Sequence, residues 1–170
     1  TTTTTTTTLT EDIASNPTIF GRLLRREAPV RVLYEDDESF AFRNIKPYAP
    51  LAALVIPKRY KVQDPDGLEL ADLAVLEKMR DVALTVASRE MPEAFAADDF
   101  RLCFHRPPFS SVPHLHLHLL APASQVPLWT RFVFSAPTPW AIDVDDVIAD
   151  LRSRQRGGDE VTTTTTTTST

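Results

Sequence analysis

The most regular alternation of polar and hydrophobic residues along the chain lies between Pro113 and Leu120. Histidines occupy every second position and leucines the positions between them, in the order His114, Leu115, His116, Leu117, His118 and Leu119. Because successive side chains of a β-strand point to opposite faces, the alternation predicts a strand with three imidazoles on one face and three leucines buried on the other. At a rise of about 3.3 Å per residue, the imidazole row spans roughly 13 Å. That length is close to the extent of a phosphate group with its immediate substituents.

The rest of the hydrophobic pattern predicts an α+β domain. Alternating or continuous apolar runs predict four further strands, at residues 30–35, 40–45, 51–56 and 100–105. Helical spacing of apolar residues and capping signals predict helices at residues 17–27, 68–90 and 143–156. This order of elements is typical of an antiparallel sheet of about five strands, with one long helix and shorter terminal helices on one side.

Local features refine the α+β plan. A turn at residues 36–39 predicts that the first two strands form a hairpin, and the strand at 51–56 is apolar enough on both faces for a central position. The predicted inward face of the first helix consists of Ile19, Leu23 and Leu24. That of the long helix consists of Val75, Met79, Val82 and Val86, widened by Leu76 and Ala83.

The second half of the chain brings a fourth histidine towards the other three. The strand at 100–105 and the histidine strand are joined by a short link, so we expect them to pair antiparallel with His105 near the histidine row. The segment 122–139 is rich in proline and aromatic residues and is predicted to be irregular. Asp143 is predicted to cap the last helix, and the glycines at 157 and 158 to end it.

Composition restricts the domain count and the function class. Threonine runs predict low-complexity ends at residues 1–8 and 162–170, which leaves one domain at 9–161. The net charge of −5 argues against nucleic acid as a partner, although it does not exclude a local basic patch. Cys103 is the single cysteine, and no apolar run approaches the roughly 20 residues of a membrane span. We therefore expect a soluble protein of the cytoplasm or nucleus, without a membrane partner.

Metal binding is one chemistry that several imidazoles on one face allow. Histidines two positions apart on a strand can hold zinc or another divalent ion. Three ligands on a straight strand diverge too far around one ion, so a further ligand has to come from another element. His105 is the only other histidine.

Nucleophilic catalysis at phosphorus is the other chemistry. Neutral imidazole is nucleophilic at cellular pH, and attack on a phosphoryl group needs one imidazole in line and donors around the phosphoryl oxygens. His116 is the expected nucleophile, with His114 and His118 as orienting and charge-stabilising partners. Hydrolysis of the resulting phosphoramidate then releases the product. This hypothesis uses every unusual feature of the segment.

The residues at 114–120 follow the pattern His-φ-His-φ-His-φ-φ, where φ is hydrophobic, and resemble the motif of the histidine triad (HIT) superfamily. The likeness covers nearly everything between the threonine runs. The segments at 18–21, 35–37, 41–42, 49–50 and 54–58 resemble the N-terminal half of histidine triad nucleotide-binding proteins. The segment at 104–111, together with Trp140, resembles the third, adenosine 5′-monophosphoramidase-like branch of that group, with some likeness to the aprataxin catalytic domain.

The resemblance implies a purine-nucleotide phosphoramidase or nucleotidyl hydrolase that works through a covalent nucleotidyl-histidine intermediate. His116 would take the nucleotidyl group, with His114 and His118 beside it and Ser111 near the leaving group. The residues implied to bind the nucleotide are Phe20, Leu23, Phe42, Arg43, Asn44, Ile45 and His105. No metal or other cofactor is implied, and members are usually homodimers.

The chain departs from the family pattern at several positions. Asn44 replaces an aspartate that accepts the ribose hydroxyls, so ribose binding should weaken or shift. Ala52 and Tyr60 stand where many relatives have histidines that support the triad, and His105 replaces an asparagine of the phosphate loop. Thr18 and Gly21 occupy the positions of cysteines that bind zinc in some branches.

Three alternatives to the leading hypothesis stay open. An aprataxin-like enzyme would remove adenylate from nucleic-acid ends, and the acidic charge balance counts against it. A nucleotide-binding module would have kept the pocket and lost turnover, which the changes at Ala52 and Tyr60 allow. The third alternative is the metal-binding protein described above.

Overall fold

The structure is a computed structural model that describes residues 3–163, with side-chain surroundings for residues 9–156. The helices are α1 (Thr3–Ser15), α2 (Ile19–Leu24), α3 (Leu73–Glu90), α4 (Pro92–Ala96), α5 (Leu128–Val133) and α6 (Val144–Thr163). The strands are β1 (Val32–Glu35), β2 (Ser39–Arg43), β3 (Leu51–Pro57), β4 (Arg101–His105), β5 (Leu117–Ala121) and β6 (Ala141–Asp143). Short 3₁₀ turns cover Pro65–Gly67, Leu70–Asp72 and Ala123–Gln125.

The strands form one antiparallel sheet in the order β1-β2-β3-β5-β4-β6. The predicted hairpin of β1 and β2 is confirmed, as are the inner position of β3 and the antiparallel pairing of β4 with β5. The α+β prediction is therefore confirmed, with a sixth strand beyond the five expected. The expectation that the helices lie on one side of the sheet is wrong, because α2 packs its apolar side chains on the face opposite α3. β6 has only three residues, which is too short for a hydrophobic period to predict it.

Side chains from alternate strand positions build two different layers. On one face, Ala53, Val55, Leu117 and Leu119 pack with α3 and α6 in the main hydrophobic core. On the other face, a smaller cluster joins α2 to the sheet through Phe20, Leu23, Phe40, Phe42, Leu54 and Ile56. The second face carries the histidines, so the period of two separates core from candidate site along each strand.

The predicted inward faces of two helices need correction. Ile19 is 43% exposed, whereas the adjacent Phe20 is 4% exposed and packs on the sheet. α2 has only six residues after its N-cap at Thr18, so its buried face is set by docking and not by a longer helical period. In α3, Val75 is 37% exposed, whereas the rest of the predicted stripe, from Leu76 to Val86, is buried.

The ends of the chain and the segment at 122–139 also differ from the prediction. α1 begins at Thr3, inside the first threonine run, for which the sequence predicted no structure. α5 lies within the segment predicted to be irregular. The cap at Asp143 is confirmed by its Oδ1 atom, which accepts from the Asp145 backbone N–H at 3.0 Å. The predicted end of the last helix is wrong, because no proline follows the glycines and α6 continues to Thr163.

The histidine strand is shorter than predicted. β5 begins at Leu117, the first residue of the stretch that pairs with β3, opposite Val55. His114 and His116 lie in the extended segment just before it. The alternation still holds across this boundary, because Leu115, Leu117 and Leu119 are all buried in the core on the α3 side. None of the described helices combines the length and apolar character needed to cross a bilayer.

Candidate active site

A cavity of about 880 Å³ lies on the sheet face opposite α3. It runs between α2, the end of β2 and the link between β4 and β5. Of the residues predicted to form the site, those that line the cavity are Phe20, Leu23, Phe42, Arg43, Asn44, Ile45, His105, Ser111, His116 and His118. The tertiary structure therefore brings together side chains from four separate parts of the chain.

His116 presents one ring nitrogen to this cavity and uses the other to fix its orientation. Its Nδ1 atom donates to the backbone carbonyl oxygen of His114 at 2.7 Å. Because a neutral imidazole carries one proton, this bond leaves the lone pair on Nε2. Burial lowers the pKa of His116, with the hydrogen bond to the His114 carbonyl acting in the opposite direction. The ring is therefore neutral and nucleophilic at pH 7.

His118 and His105 form the far wall of the cavity from adjacent strands. Their ring centroids are 4.5 Å apart, and Phe134 packs against both rings. Both ring nitrogens of His118 and the Nε2 atom of His105 are buried without a hydrogen-bond partner in the described part of the protein. Burial lowers the pKa of His105 to about 4 and that of His118 well below its usual value. Such nitrogens are available to a bound group, whose hydrogen bonds would relieve the cost of their burial.

His114 shares the sheet face with the other two histidines but does not line the cavity. It is fully buried, its Nδ1 lies 2.9 Å from Asn16 Nδ2, and its Nε2 lies 2.9 Å from the Pro57 carbonyl oxygen. Burial lowers the pKa of His114 to about 4. Two of the three predicted imidazoles therefore reach the cavity, and His114 acts on it through its backbone carbonyl.

The opposite end of the cavity is lined by aromatic and aliphatic side chains. Phe20 and Phe42 meet edge to face at 5.5 Å between ring centroids, with Leu23 and Leu54 beside them. Phe20 also contacts the His116 ring at 5.3 Å, so an aromatic base held here would place its attached phosphate near the histidines. Ile45, by contrast, is 95% exposed and reaches the cavity only at its mouth.

Asn44 and its neighbours give the cavity mouth a polar, positively charged side. The Asn44 Oδ1 atom accepts from the backbone N–H of Lys46 at 3.1 Å and keeps a second lone pair for a ligand. Arg31, Arg43 and Lys46 all line the cavity, and no carboxylate residue does so. Arg31 and Lys46 were not predicted from the sequence as residues of the site. This local charge contrasts with the net charge of −5, so the open possibility of a basic patch is confirmed at the site itself.

Two of the positions that depart from the family pattern, Ala52 and Tyr60, lie behind the site. The Tyr60 ring contacts the His114 ring at 5.4 Å between centroids, and Ala52 is buried with Cys103 and Leu120. Burial raises the pKa of the Cys103 thiol to about 12, so it is an inert buried residue. Among the described residues, no group of three His, Cys, Asp or Glu side chains is placed to hold a metal ion.

Comparison with known proteins matches this chain to one family model and to relatives with named activities. The family model described as "Scavenger mRNA decapping enzyme C-term binding" matches residues 17–132. The adenosine 5′-monophosphoramidase HINT3 of Xenopus tropicalis is 32% identical over 136 residues, which cover 79% of this chain and 87% of that protein. The bifunctional adenosine 5′-phosphosulfate phosphorylase/adenylylsulfatase HINT4 of Arabidopsis thaliana is 33% identical over 138 residues, covering 79% of this chain and 90% of that protein.

A solved structure shares the fold as well as the sequence pattern. The HIT family hydrolase of Legionella pneumophila Philadelphia 1 superposes with a TM-score of 0.56 at 30% identity, covering 61% of this chain and 90% of that one. The likeness in sequence and in structure confirms the predicted resemblance. The chain therefore belongs to the matched family and, with it, to the HINT-like branch of the histidine triad superfamily.

Proposed function

We propose that this protein hydrolyses purine-nucleoside 5′-phosphoramidates or related adenylylated compounds through a covalent nucleotidyl-His116 intermediate and releases the nucleoside monophosphate. The observation that carries the proposal is the 2.7 Å hydrogen bond from His116 Nδ1 to the His114 carbonyl, which leaves Nε2 as the free nucleophilic nitrogen beside the cavity. The activities named for the HINT3 and HINT4 relatives support the same reaction class.

The first step forms a bond between His116 Nε2 and phosphorus. The bond from phosphorus to the leaving group breaks, and its electron pair goes to the leaving nitrogen or oxygen, which takes up a proton. Negative charge on the phosphoryl oxygens is stabilised by hydrogen-bond donors around them. The neutral imidazole of His118 can supply one N–H, and Ser111 can supply its hydroxyl from the adjacent wall.

The second step releases the product and restores the enzyme. Water attacks the phosphorus of the nucleotidyl-histidine, the bond to Nε2 breaks, and the electron pair returns to that nitrogen. The proton lost by the water balances the proton gained by the leaving group. Because Nδ1 keeps its bond to the His114 carbonyl throughout, the ring is already in the correct tautomer for another cycle.

Trapping the intermediate tests the proposal directly. The protein is mixed with adenosine 5′-phosphoramidate, quenched within milliseconds and digested, and the peptides are analysed by mass spectrometry. We expect one adenylyl group on the peptide that contains His116 and none in the His116→Ala variant. Product formation at full rate by His116→Ala would overturn the proposed mechanism. Tight AMP binding without turnover in the unmutated protein would instead favour the non-catalytic nucleotide-binding module.

The positive side of the cavity supports a second candidate, an aprataxin-like enzyme that removes adenylate from nucleic-acid ends. Arg31, Arg43 and Lys46 line the wall near Asn44, where a ligand with phosphates beyond the reacting one would gain from them. Binding to adenylylated nicked DNA is the test, measured against salt concentration. Affinity that falls steeply with salt favours this candidate, and affinity no better than that for AMP excludes it.

We propose that the protein forms a homodimer, in line with the family resemblance. The exposed apolar side chains Leu128, Trp129 and Phe132 of α5 support a self-association surface, since such groups rarely cluster in the open without a partner. Light scattering across a concentration series tests this, with Trp129→Glu expected to yield monomers.

A location in the cytoplasm or nucleus is also proposed, and cell fractionation would test it.

A further inference from the structure

Asn16 occupies a buried position directly behind the histidine triad. It lies in the link between α1 and α2 and is only 1% exposed. Its side-chain Nδ2 atom is 2.9 Å from Nδ1 of His114, a residue 98 positions away along the chain. Nothing in the hydrophobic pattern or in the triad motif singles out this asparagine. The helix that follows the link, α2, also packs its Phe20 against the ring of His114.

The two hydrogen-bond donors of Thr18 determine the orientation of the Asn16 amide. Its Oδ1 atom accepts from the backbone N–H of Thr18 at 3.0 Å and from the Thr18 hydroxyl at 2.8 Å. The Thr18 backbone N–H cannot accept a hydrogen bond, so the amide oxygen must face Thr18. The amide nitrogen must therefore face His114.

This orientation selects one tautomer of His114. An amide nitrogen is only a donor, so His114 Nδ1 must accept and carry no proton. The proton of the neutral ring is then on Nε2, which donates to the Pro57 carbonyl oxygen at 2.9 Å. Both ring nitrogens are satisfied in this arrangement alone, so rotation or protonation of the ring would break at least one buried hydrogen bond.

Close packing and hydrogen bonds also fix the position of the Asn16 backbone. A Cβ atom on Gly21 would lie 2.3 Å from the Asn16 carbonyl oxygen, so only glycine at position 21 lets the α1–α2 link approach this closely. The same carbonyl oxygen accepts from Arg25 Nη1 at 3.0 Å. The Thr18 hydroxyl, which holds the amide, also accepts from the Gly21 backbone N–H as the N-cap of α2.

We infer that Asn16 is a positioning residue that holds His114 in its Nε2–H tautomer and thereby directs the Nε2 atom of His116 into the cavity. The inference rests on the proposed function for its catalytic consequence. The path has two hydrogen bonds, from Asn16 to the His114 ring and from His116 Nδ1 to the His114 carbonyl. Since reactivity depends strongly on in-line placement, a loosened His114 lowers the rate of the chemical step without a change in nucleotide affinity.

Nuclear magnetic resonance of the four histidines tests the geometry without reference to activity. With ¹⁵N-labelled imidazoles at pH 7.5, we expect the unmutated protein to show His114 as the Nε2–H tautomer with an unprotonated Nδ1. In the nearly isosteric Asn16→Asp variant, the carboxylate accepts instead of donating, so we expect Nδ1 of His114 to become protonated. A His114 signal that keeps the original tautomer in Asn16→Asp overturns the inference.

Kinetics of three variants separate positioning from stability. Asn16→Asp and Gly21→Ala, which displaces the Asn16 backbone, should each lower kcat roughly 10- to 100-fold while the Kd for AMP stays within about twofold. The matched control is Asp72→Asn, another buried polar residue whose carboxylate accepts from the Glu69 backbone N–H. It should lower the melting temperature without moving kcat or the His114 tautomer.

The outcomes also separate the inference from the proposed function. If Asp72→Asn loses as much stability as Asn16→Asp and its kcat falls by the same factor, the positioning role of Asn16 is overturned. A protein that hydrolyses no phosphoramidate but shows the tautomer change in Asn16→Asp overturns the proposed function and supports the positioning of His114 by Asn16. If the variants fail to fold, the tautomer of the unmutated protein decides, because a protonated Nδ1 on His114 contradicts the inference.

Discussion

The imidazole rings of His105 and His118 lie side by side on neighbouring strands, with their centroids 4.5 Å apart. Both are buried, and between them three ring nitrogens have no hydrogen-bond partner among the described residues. Neither ring can take up a proton without bringing charge into an apolar wall that Phe134 completes. The pair therefore supplies neutral hydrogen-bonding groups at the end of the cavity where we place the reacting phosphate.

The buried histidines predict that stability falls in mild acid. Burial lowers the pKa of both His105 and His114 from 6.5 to about 4, so between these pH values the unfolded chain binds protons that the folded chain excludes. Stability is therefore fully present above pH 6.5 and is lost as the pH falls towards 4. Each histidine accounts for on the order of 3 kcal/mol of this loss. Urea unfolding at intervals between pH 7 and pH 4 measures it, and His105→Asn should reduce the slope. A variant with an unchanged slope would contradict the assignment.

Removal of the nucleophile should abolish turnover and spare binding. His116→Ala lacks the imidazole whose Nδ1 is bonded to the His114 carbonyl and whose Nε2 is free beside the cavity, so we expect kcat to fall at least ~10⁴-fold. Calorimetry should still detect AMP binding, because the Phe20–Phe42 wall is unaffected. Cys103→Ala is the control, since its inert thiol lies outside the cavity and its loss should leave kcat within about twofold.

Restoring a charge at position 44 should strengthen the recognition of ribose. The side chain of Asn44 already accepts from the Lys46 backbone N–H, and Asn44→Asp keeps that bond while presenting a charged acceptor to the cavity. Hydrogen bonds to a carboxylate are stronger than those to an amide oxygen, so KM for an adenosine phosphoramidate should fall about tenfold. The matched measurement uses a 2′,3′-dideoxy substrate. An equal fall in KM for that substrate would show that the ribose hydroxyls are not involved.

The cationic side of the cavity should favour ligands with several phosphates. Neutralising Arg31 and Lys46 together, as Arg31→Gln with Lys46→Gln, should weaken AMP binding only several-fold. Binding of an adenylylated nicked DNA should weaken more, with a smaller salt dependence. Arg22→Gln with Arg156→Gln removes two exposed arginines that do not line the cavity and serves as the charge-matched control. Equal effects of the cavity and control variants would show only a general effect of net charge.

Predictions from local sequence patterns were confirmed where the pattern was long and regular. The leucines of the triad segment are buried on the α3 side, and all three histidines lie on the other face, because strand alternation depends on backbone geometry alone. The short link between two strands also predicted that His105 lies near the histidine row, and the structure has it beside His118. Predictions for short elements were less accurate. α2 presents Phe20 and not Ile19 to the sheet because the contact that orients a six-residue helix comes from its partners.

By itself, the amino-acid sequence determined the α+β plan, the face on which the histidines lie and the family to which they point. These properties follow from periodicity and from residue order, which act over a few neighbouring positions. Only the tertiary structure decided that His114 is enclosed while His116 and His118 reach the cavity, and that Asn16 meets His114 from 98 residues away. Such contacts depend on how whole elements dock, and the docking is set by the shapes and hydrogen bonds of both partners at once.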